Sequence, residues 1–313
     1  VNQFRDRGSP APTSDRRLAE FSWGPPENFL GLPPEESAFG PARVVILPVP
    51  YEATVSWGGG TRYGPRALLH ASRFVELYDH ELDTEPYRVG IHTLPELLLP
   101  AAGPAAALDE LRRVMEVLLD DGKFVILLGG EHSVSAPAIL AHATRLKPQS
   151  LSVLQLDAHA DLRAEYEGTP YSHACVMYRV HRDAKLVPVG IRSLTAEERD
   201  LLRREKIPVV FGHELEEANW IDRVIESLGP DVYITIDVDF FDPSLMPATG
   251  TPEPGGGAWY PTLALLERVF RERRVVGCDV VELAPIPGQP HPDFLAAKLV
   301  YKLVGFYAAR RER

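Results

Sequence analysis

The chain has 313 residues, 45% hydrophobic and 25% charged, enough for one large α/β domain with a substantial core. Its formal net charge of -11, from 44 acidic against 33 basic residues, argues against nucleic acid or an anionic membrane as the main partner and suits a small cationic molecule. Two isolated cysteines, Cys175 and Cys278, exclude a disulfide framework; with a polar N-terminus and no apolar run of roughly 18 residues, the expected location is the reducing cytoplasm.

Residues 1–42 form a Pro-rich arm: Pro10, Pro12, Pro25, Pro26, Pro33, Pro34 and Pro41 forbid a long helix or a central strand. Phe21, Trp23, Phe29 and Leu30 in this arm need burial, either back on the same domain or on a neighbouring subunit. From residue 43 the chain alternates short apolar runs with amphipathic ones. Strands are expected at Val44 to Leu47, Phe124 to Leu128, Leu151 to Leu156, Leu186 to Val189, Pro208 to Phe211, Val232 to Ile236 and Val275 to Val281. Helical spacing falls at Leu108 to Leu119, Glu197 to Arg204, Trp220 to Leu228, Leu263 to Arg271 and Pro292 to Ala309. Apolar strands alternating with helices predict a mainly parallel sheet covered on both faces, in a single domain over 43–313. Ligands of such sheets bind beyond the carboxyl ends of the strands.

Polar clusters follow three of these strands directly. They are Gly129-Gly130-Glu131-His132-Ser133, Asp157-Ala158-His159-Ala160-Asp161 and Asp237-Val238-Asp239-Phe240-Phe241-Asp242-Pro243. In an extended chain, residues two apart share a face, so Asp157, His159 and Asp161 are expected to project together, as are Asp237 and Asp239. A lone Asp-x-Asp after a strand is commonly a cap, and a lone His132 a satisfied structural histidine. Three such clusters at one sheet edge are a different matter. Converging carboxylates need a counter-charge. Mixed oxygen and imidazole donors without thiolate suit Mn²⁺, and six ligands suit two ions sharing bridging carboxylates.

These residues resemble the ureohydrolase family of arginases and agmatinases. The resemblance extends through Gly59-Gly60-Thr61-Arg62-Tyr63-Gly64-Pro65-Arg66, the segment Pro247 to Gly256 and the Glu282 region, and covers essentially 43–313. It implies a three-layer α/β/α fold and two Mn²⁺ ions. One ion would take His132, Asp157, Asp161 and Asp237; the other His159, Asp157, Asp237 and Asp239, with Asp157 and Asp237 bridging. It further implies catalysis by Asp161, His173 and Glu282, with Asp161 accepting a hydrogen bond from the attacking water. His173 would shuttle a proton, Glu282 would hold the guanidinium by a charge-assisted pair, and Thr251 would contact substrate. Glu131 and Asp242 are read as supports. A homo-oligomer, trimer or hexamer, is also implied.

The expected reaction is hydrolysis of agmatine to putrescine and urea. The loop Leu162 to Ser172 lacks the Asn-centred carboxylate-binding segment typical of arginases, and its Glu165 and Glu167 favour an ammonium over a carboxylate; Arg163 dissents. Gly190-Ile191-Arg192-Ser193 is agmatinase-like. Guanidinobutyrate, another guanidino acid or arginine are the alternatives. A zinc deacylase of acetylated polyamines is more remote, because this chain has no His-His pair.

Overall fold

The structure, a computed structural model of the chain, describes residues 24–147 and 149–311. Among the described residues the regular elements are β1 (Val44–Val49), α1 (Gly64–Ser72), β2 (Ile91–Thr93), α2 (Pro104–Asp120), β3 (Phe124–Gly129), α3 (Ser135–Ala143), β4 (Leu151–Leu156) and α4 (Val176–Val180). They continue as β5 (Lys185–Ile191), α5 (Ala196–Arg204), β6 (Val210–Phe211), α6 (Trp220–Ser227), β7 (Asp231–Asp237), α7 (Trp259–Glu272), β8 (Arg274–Val281) and α8 (His291–Arg311).

The strands form one parallel sheet in the order β2-β1-β3-β8-β7-β4-β5-β6. Strand alternation divides the apolar side chains between two cores. Val44 and Ile46 of β1 share one core with Leu68 of α1, Val224 of α6, Leu266 of α7 and Leu303 of α8. Val45, Leu47 and Val49 share the other core with Leu111 of α2, Ile139 of α3, Met177 of α4 and Leu201 of α5. The three-layer α/β/α fold is therefore dictated by strands that are apolar on both faces.

Part of the N-terminal arm folds back on its own domain. Phe29 and Leu30 are fully buried, and their backbone N–H groups donate to Thr93 Oγ1 and Ser72 Oγ. Phe21 and Trp23 lie outside the described residues. No helix among the described residues is long and apolar enough to cross a membrane.

The sheet order matters most for its centre. β3, β8, β7 and β4 are consecutive neighbours, so the segments that leave their carboxyl ends emerge side by side.

Candidate metal centre

Strand β1 and strand β3 continue to pair after they end. Gly130 N donates to Val49 O and Glu131 N to Tyr51 O. A Cβ on Gly130 would lie 2.0 Å from Tyr51 O, so only glycine permits this approach. Beyond it, residues 132–134 form a short 3-10 turn that seats His132 under the sheet edge. The His132 N–H donates to Glu282 Oε1, and Glu282 N–H donates to Gly130 O, which ties the ends of β3 and β8 together.

The hydrogen-bond network assigns the His132 tautomer. Thr235 Oγ1 gives its single proton to Asp279 Oδ1 at 2.6 Å, so it accepts from His132 Nε2 at 2.9 Å. The lone pair of Nδ1 is then directed at carboxylates: Asp161 Oδ2 at 2.9 Å, Asp157 Oδ2 at 3.2 Å and Asp237 Oδ2 at 3.5 Å. This nitrogen is buried and has no hydrogen-bond partner. A lone pair facing three anions in a buried pocket is repulsive unless a cation sits between them.

A second group adjoins the first. His159 Nδ1 is 2.9 Å from Asp239 Oδ2 and 3.8 Å from Asp157 Oδ1. His132, Asp157 and Asp237 present ligand atoms within 4.8 Å of one another, and so do Asp157, His159 and Asp239. Asp157 belongs to both groups. The donor set is oxygen and imidazole only, which fits hard or borderline divalent cations. All six expected ligands thus converge: five fall in two overlapping groups, and Asp161 joins them through His132 Nδ1 at 2.9 Å.

They converge by a route other than the one expected. Strand geometry does not persist past β4: Asp161 turns into the left-handed region at φ +50, and its carbonyl accepts from Met177 N and Tyr178 N. Asp239 sits in a 3-10 turn, not on an extended strand. Two short aspartate turns and one bond between the two segments do the aiming. His159 N–H donates to Asp157 Oδ1 at 2.6 Å, Asp239 N–H to Asp237 Oδ1 at 2.9 Å, and Ala158 N–H to Asp239 Oδ1 at 2.9 Å.

Burial and mutual repulsion raise Asp157 to about 7, and burial with the charges of Asp239 and Asp157 raises Asp237 well above the usual carboxylate range. Burial alone would lower His159, but its bond to Asp239 carries it to about 10. Burial likewise opposes protonation of His132, and Asp157 and Asp161 overcome it. Without a cation the cluster therefore holds protons, and a divalent ion must displace them. The sign follows: affinity rises with pH. His159 loses its proton to the ion throughout the neutral range, and Asp157 loses a second one below about pH 7. The dissociation constant of Mn²⁺ is expected to weaken at least about tenfold per unit as pH falls from about 8 to about 6, measured by titration calorimetry. A pH-independent constant would contradict this ligand set.

All of these ligands but Asp157 line a cleft of about 340 Å³ that also takes in His173, Thr251 and Glu282. Its floor is buried; Glu282 is only 8% exposed and burial pushes its carboxyl well up. His173 stands on the wall, with Nε2 3.0 Å from Ser56 Oγ and Nδ1 3.3 Å from Thr54 Oγ1. Glu131 does not face the cluster. It accepts from Ala53 N–H, Thr54 N–H, Thr54 Oγ1 and Ser133 Oγ. Asp242 accepts from Ser244 N–H. Arg163 lies over the Tyr166 ring at 4.8 Å. A larger groove of about 1370 Å³, lined by Arg66, His70, Phe74, Glu96 and Phe294, contains none of the clustered ligands.

Three supporting residues escaped the sequence reading. Gln155 Nε2 donates to Asp157 Oδ2 at 2.8 Å, and Thr235 with Asp279 orients His132. Each is a polar residue inside a fully buried strand segment, and that interruption was the available signal. Arg192 was noted only as part of a motif. Its guanidinium donates to the carbonyls of Asp239, Glu253 and Pro254, pinning the 253–254 loop to the turn that carries Asp239.

The sequence model of the arginase family matches residues 42–305. The N(1)-aminopropylagmatine ureohydrolase of Synechocystis sp. is 41% identical over 287 residues, covering 88% of this chain and 93% of that protein. The agmatinase of Pyrococcus horikoshii is 33% identical over 269 residues, covering 85% and 93%. Among solved structures, the agmatine ureohydrolase of Thermoplasma volcanium superimposes with a TM-score of 0.82 at 28% identity, covering 93% of this chain and 98% of that one.

Proposed function

This chain belongs to the arginase family and is an agmatinase-like ureohydrolase, and we propose that its substrate is an agmatine-type amine, with N1-aminopropylagmatine preferred and agmatine itself second. The carrying observation is the charge of the cleft. Beside Asp161, Asp237 and Asp239, whose charge the bound ions would offset, Glu198, Glu253 and Glu282 line it, while Arg163 is its one Lys or Arg side chain among the described residues. Such a cleft attracts a chain bearing cationic nitrogens and disfavours the carboxylate of arginine or guanidinobutyrate. Preference for the extended amine is supported by the higher identity to the relative of that name, 41% against 33% for the agmatinase. A zinc deacylase reading has no support beside these relatives.

In this reading Glu282 holds the guanidinium at the cleft floor. Burial has raised its carboxyl, and an arriving guanidinium supplies the counter-charge that restores the ionised form. His132, Asp157, His159, Asp161, Asp237 and Asp239 would hold two Mn²⁺ ions. Those ions, when bound, acidify water enough for it to act as a nucleophile near neutral pH. Asp161 accepts a hydrogen bond from the attacking water and orients it. Water adds to the guanidinium carbon; the bond from that carbon to the alkyl-bearing nitrogen breaks; the nitrogen takes a proton and leaves as an amine, with urea as the other product. His173 delivers that proton from the wall of the cleft, and Thr251 contacts the substrate.

The test is urea release from N1-aminopropylagmatine, agmatine, arginine and guanidinobutyrate, with metal stoichiometry measured on the same sample. The extended amine is expected to exceed agmatine by about tenfold in kcat/KM and the two carboxylated substrates by about a hundredfold or more, the size of a lost or mispaired charge contact. Agmatine as the best substrate would establish the second reading. Arginine or guanidinobutyrate as the best would overturn both.

A further inference from the structure

Trp57 lines the cleft and yet is 82% exposed, an unusual position for an indole. The loop that carries it is built to hold still at both ends. At one end Ala53 N–H and Thr54 N–H donate to Glu131 Oε2 at 2.5 and 2.7 Å. At the other, Gly60 N–H, Arg62 N–H and Thr61 Oγ1 donate to Glu52 Oε2 at 2.9, 2.9 and 3.2 Å. Between these anchors Ser56 Oγ donates to Tyr166 OH at 3.3 Å and meets His173 Nε2. Gly58 lies against Gly250, so closely that a Cβ on Gly58 would be 2.7 Å from Gly250 O. The loop thereby touches both walls of the cleft, and Trp57 stands at the mouth with its ring turned to solvent.

We propose that Trp57 is the specificity-determining residue, an aromatic platform for the protonated aminopropyl extension of the substrate; this rests on the substrate reading above. With the guanidinium at the floor against Glu282, the amine chain runs outward. Agmatine ends at its primary amine. The extended substrate carries a further propyl segment and a second cationic nitrogen toward the mouth, where methylenes and an ammonium both gain from an indole face. Glu253 does not discriminate in this way. Its carboxylate lies 3.9 Å from His159 Nε2, next to the ligand cluster, where it meets the part common to both substrates. Tyr166 is fixed in the wall by Ser56 and covered by Arg163.

The test uses the metal-loaded full chain and compares wild type with Trp57→Ala and Trp57→Phe on both amines. Trp57→Ala is expected to lose about tenfold in kcat/KM on N1-aminopropylagmatine, mainly through KM, and less than about threefold on agmatine. Trp57→Phe recovers most of the loss. Equal losses on the two substrates would overturn the proposal and make Trp57 a support of the loop that touches His173; no loss on either would also overturn it. A wild-type enzyme that leaves the extended amine intact sinks the substrate reading itself, and the proposal with it. Binding provides a readout apart from turnover. Spermidine, the amine that loss of urea leaves from the extended substrate, is expected to change tryptophan fluorescence more than putrescine does. That excess disappears in Trp57→Phe, although three other tryptophans remain of the chain's four. Its persistence would place the extension elsewhere.

Discussion

Asp157→Asn abolishes metal binding and urea release together, with kcat/KM down by more than about a thousandfold, while the chain stays folded. Asp157 is fully buried and is the residue common to both ligand groups. An amide of the same shape brings no negative charge, so each ion would lose an anionic ligand at once. The fold survives because the amide suits the metal-free site. Its carbonyl oxygen can accept from the protonated His132 Nδ1, 3.2 Å from Asp157 Oδ2, and one member is removed from a crowd of like charges. Above about pH 7, where Asp157 is ionised, the metal-free variant is therefore expected to melt no lower than metal-free wild type. Elemental analysis, urea assay and thermal melting of one preparation decide the matter. A variant that keeps both ions and its activity removes Asp157 from the bridging position; a variant that simply unfolds would mean that the carboxylate supports the strand ends.

How the site forms was only partly legible in the sequence. The strands β3, β4, β7 and β8 could be read because they are apolar on both faces, and the polar clusters that follow them could be placed at one edge for the same reason. Their adjacency could not, because it depends on the order β3-β8-β7-β4, which no local pattern encodes. Helix α3 was missed since its residues are almost all buried, so no polar face marks its period. Helix α1 and α4 are short, and β2 is only three residues at the sheet edge. The expected alternation of Asp157, His159 and Asp161 failed at Asp161, whose left-handed backbone is stabilised by bonds from residues 177 and 178. Side chains that could be named from spacing are aimed by hydrogen bonds that could not.

His173→Phe is the complementary experiment, because it separates proton delivery from metal holding. The ring shape is kept and both nitrogens are lost. The His173 nitrogens meet hydroxyls, Ser56 Oγ at 3.0 Å and Thr54 Oγ1 at 3.3 Å, and Tyr166 packs edge-on at 5.8 Å between ring centres. Metal content is therefore expected to be unchanged. Turnover is expected to fall by about a hundredfold or more, the usual contribution of a positioned general acid, with a much smaller change in KM. The alkylamine leaves only if it is protonated, so a lost donor acts on kcat and not on guanidinium capture, the role proposed for Glu282. Added imidazole is expected to restore part of the rate in His173→Ala, which opens room for it on the cleft wall, and not in His173→Phe, whose ring fills that room. A merely structural role would give no such rescue. Loss of metal in this variant would instead tie His173, through Thr54 and Glu131, to the turn that seats His132.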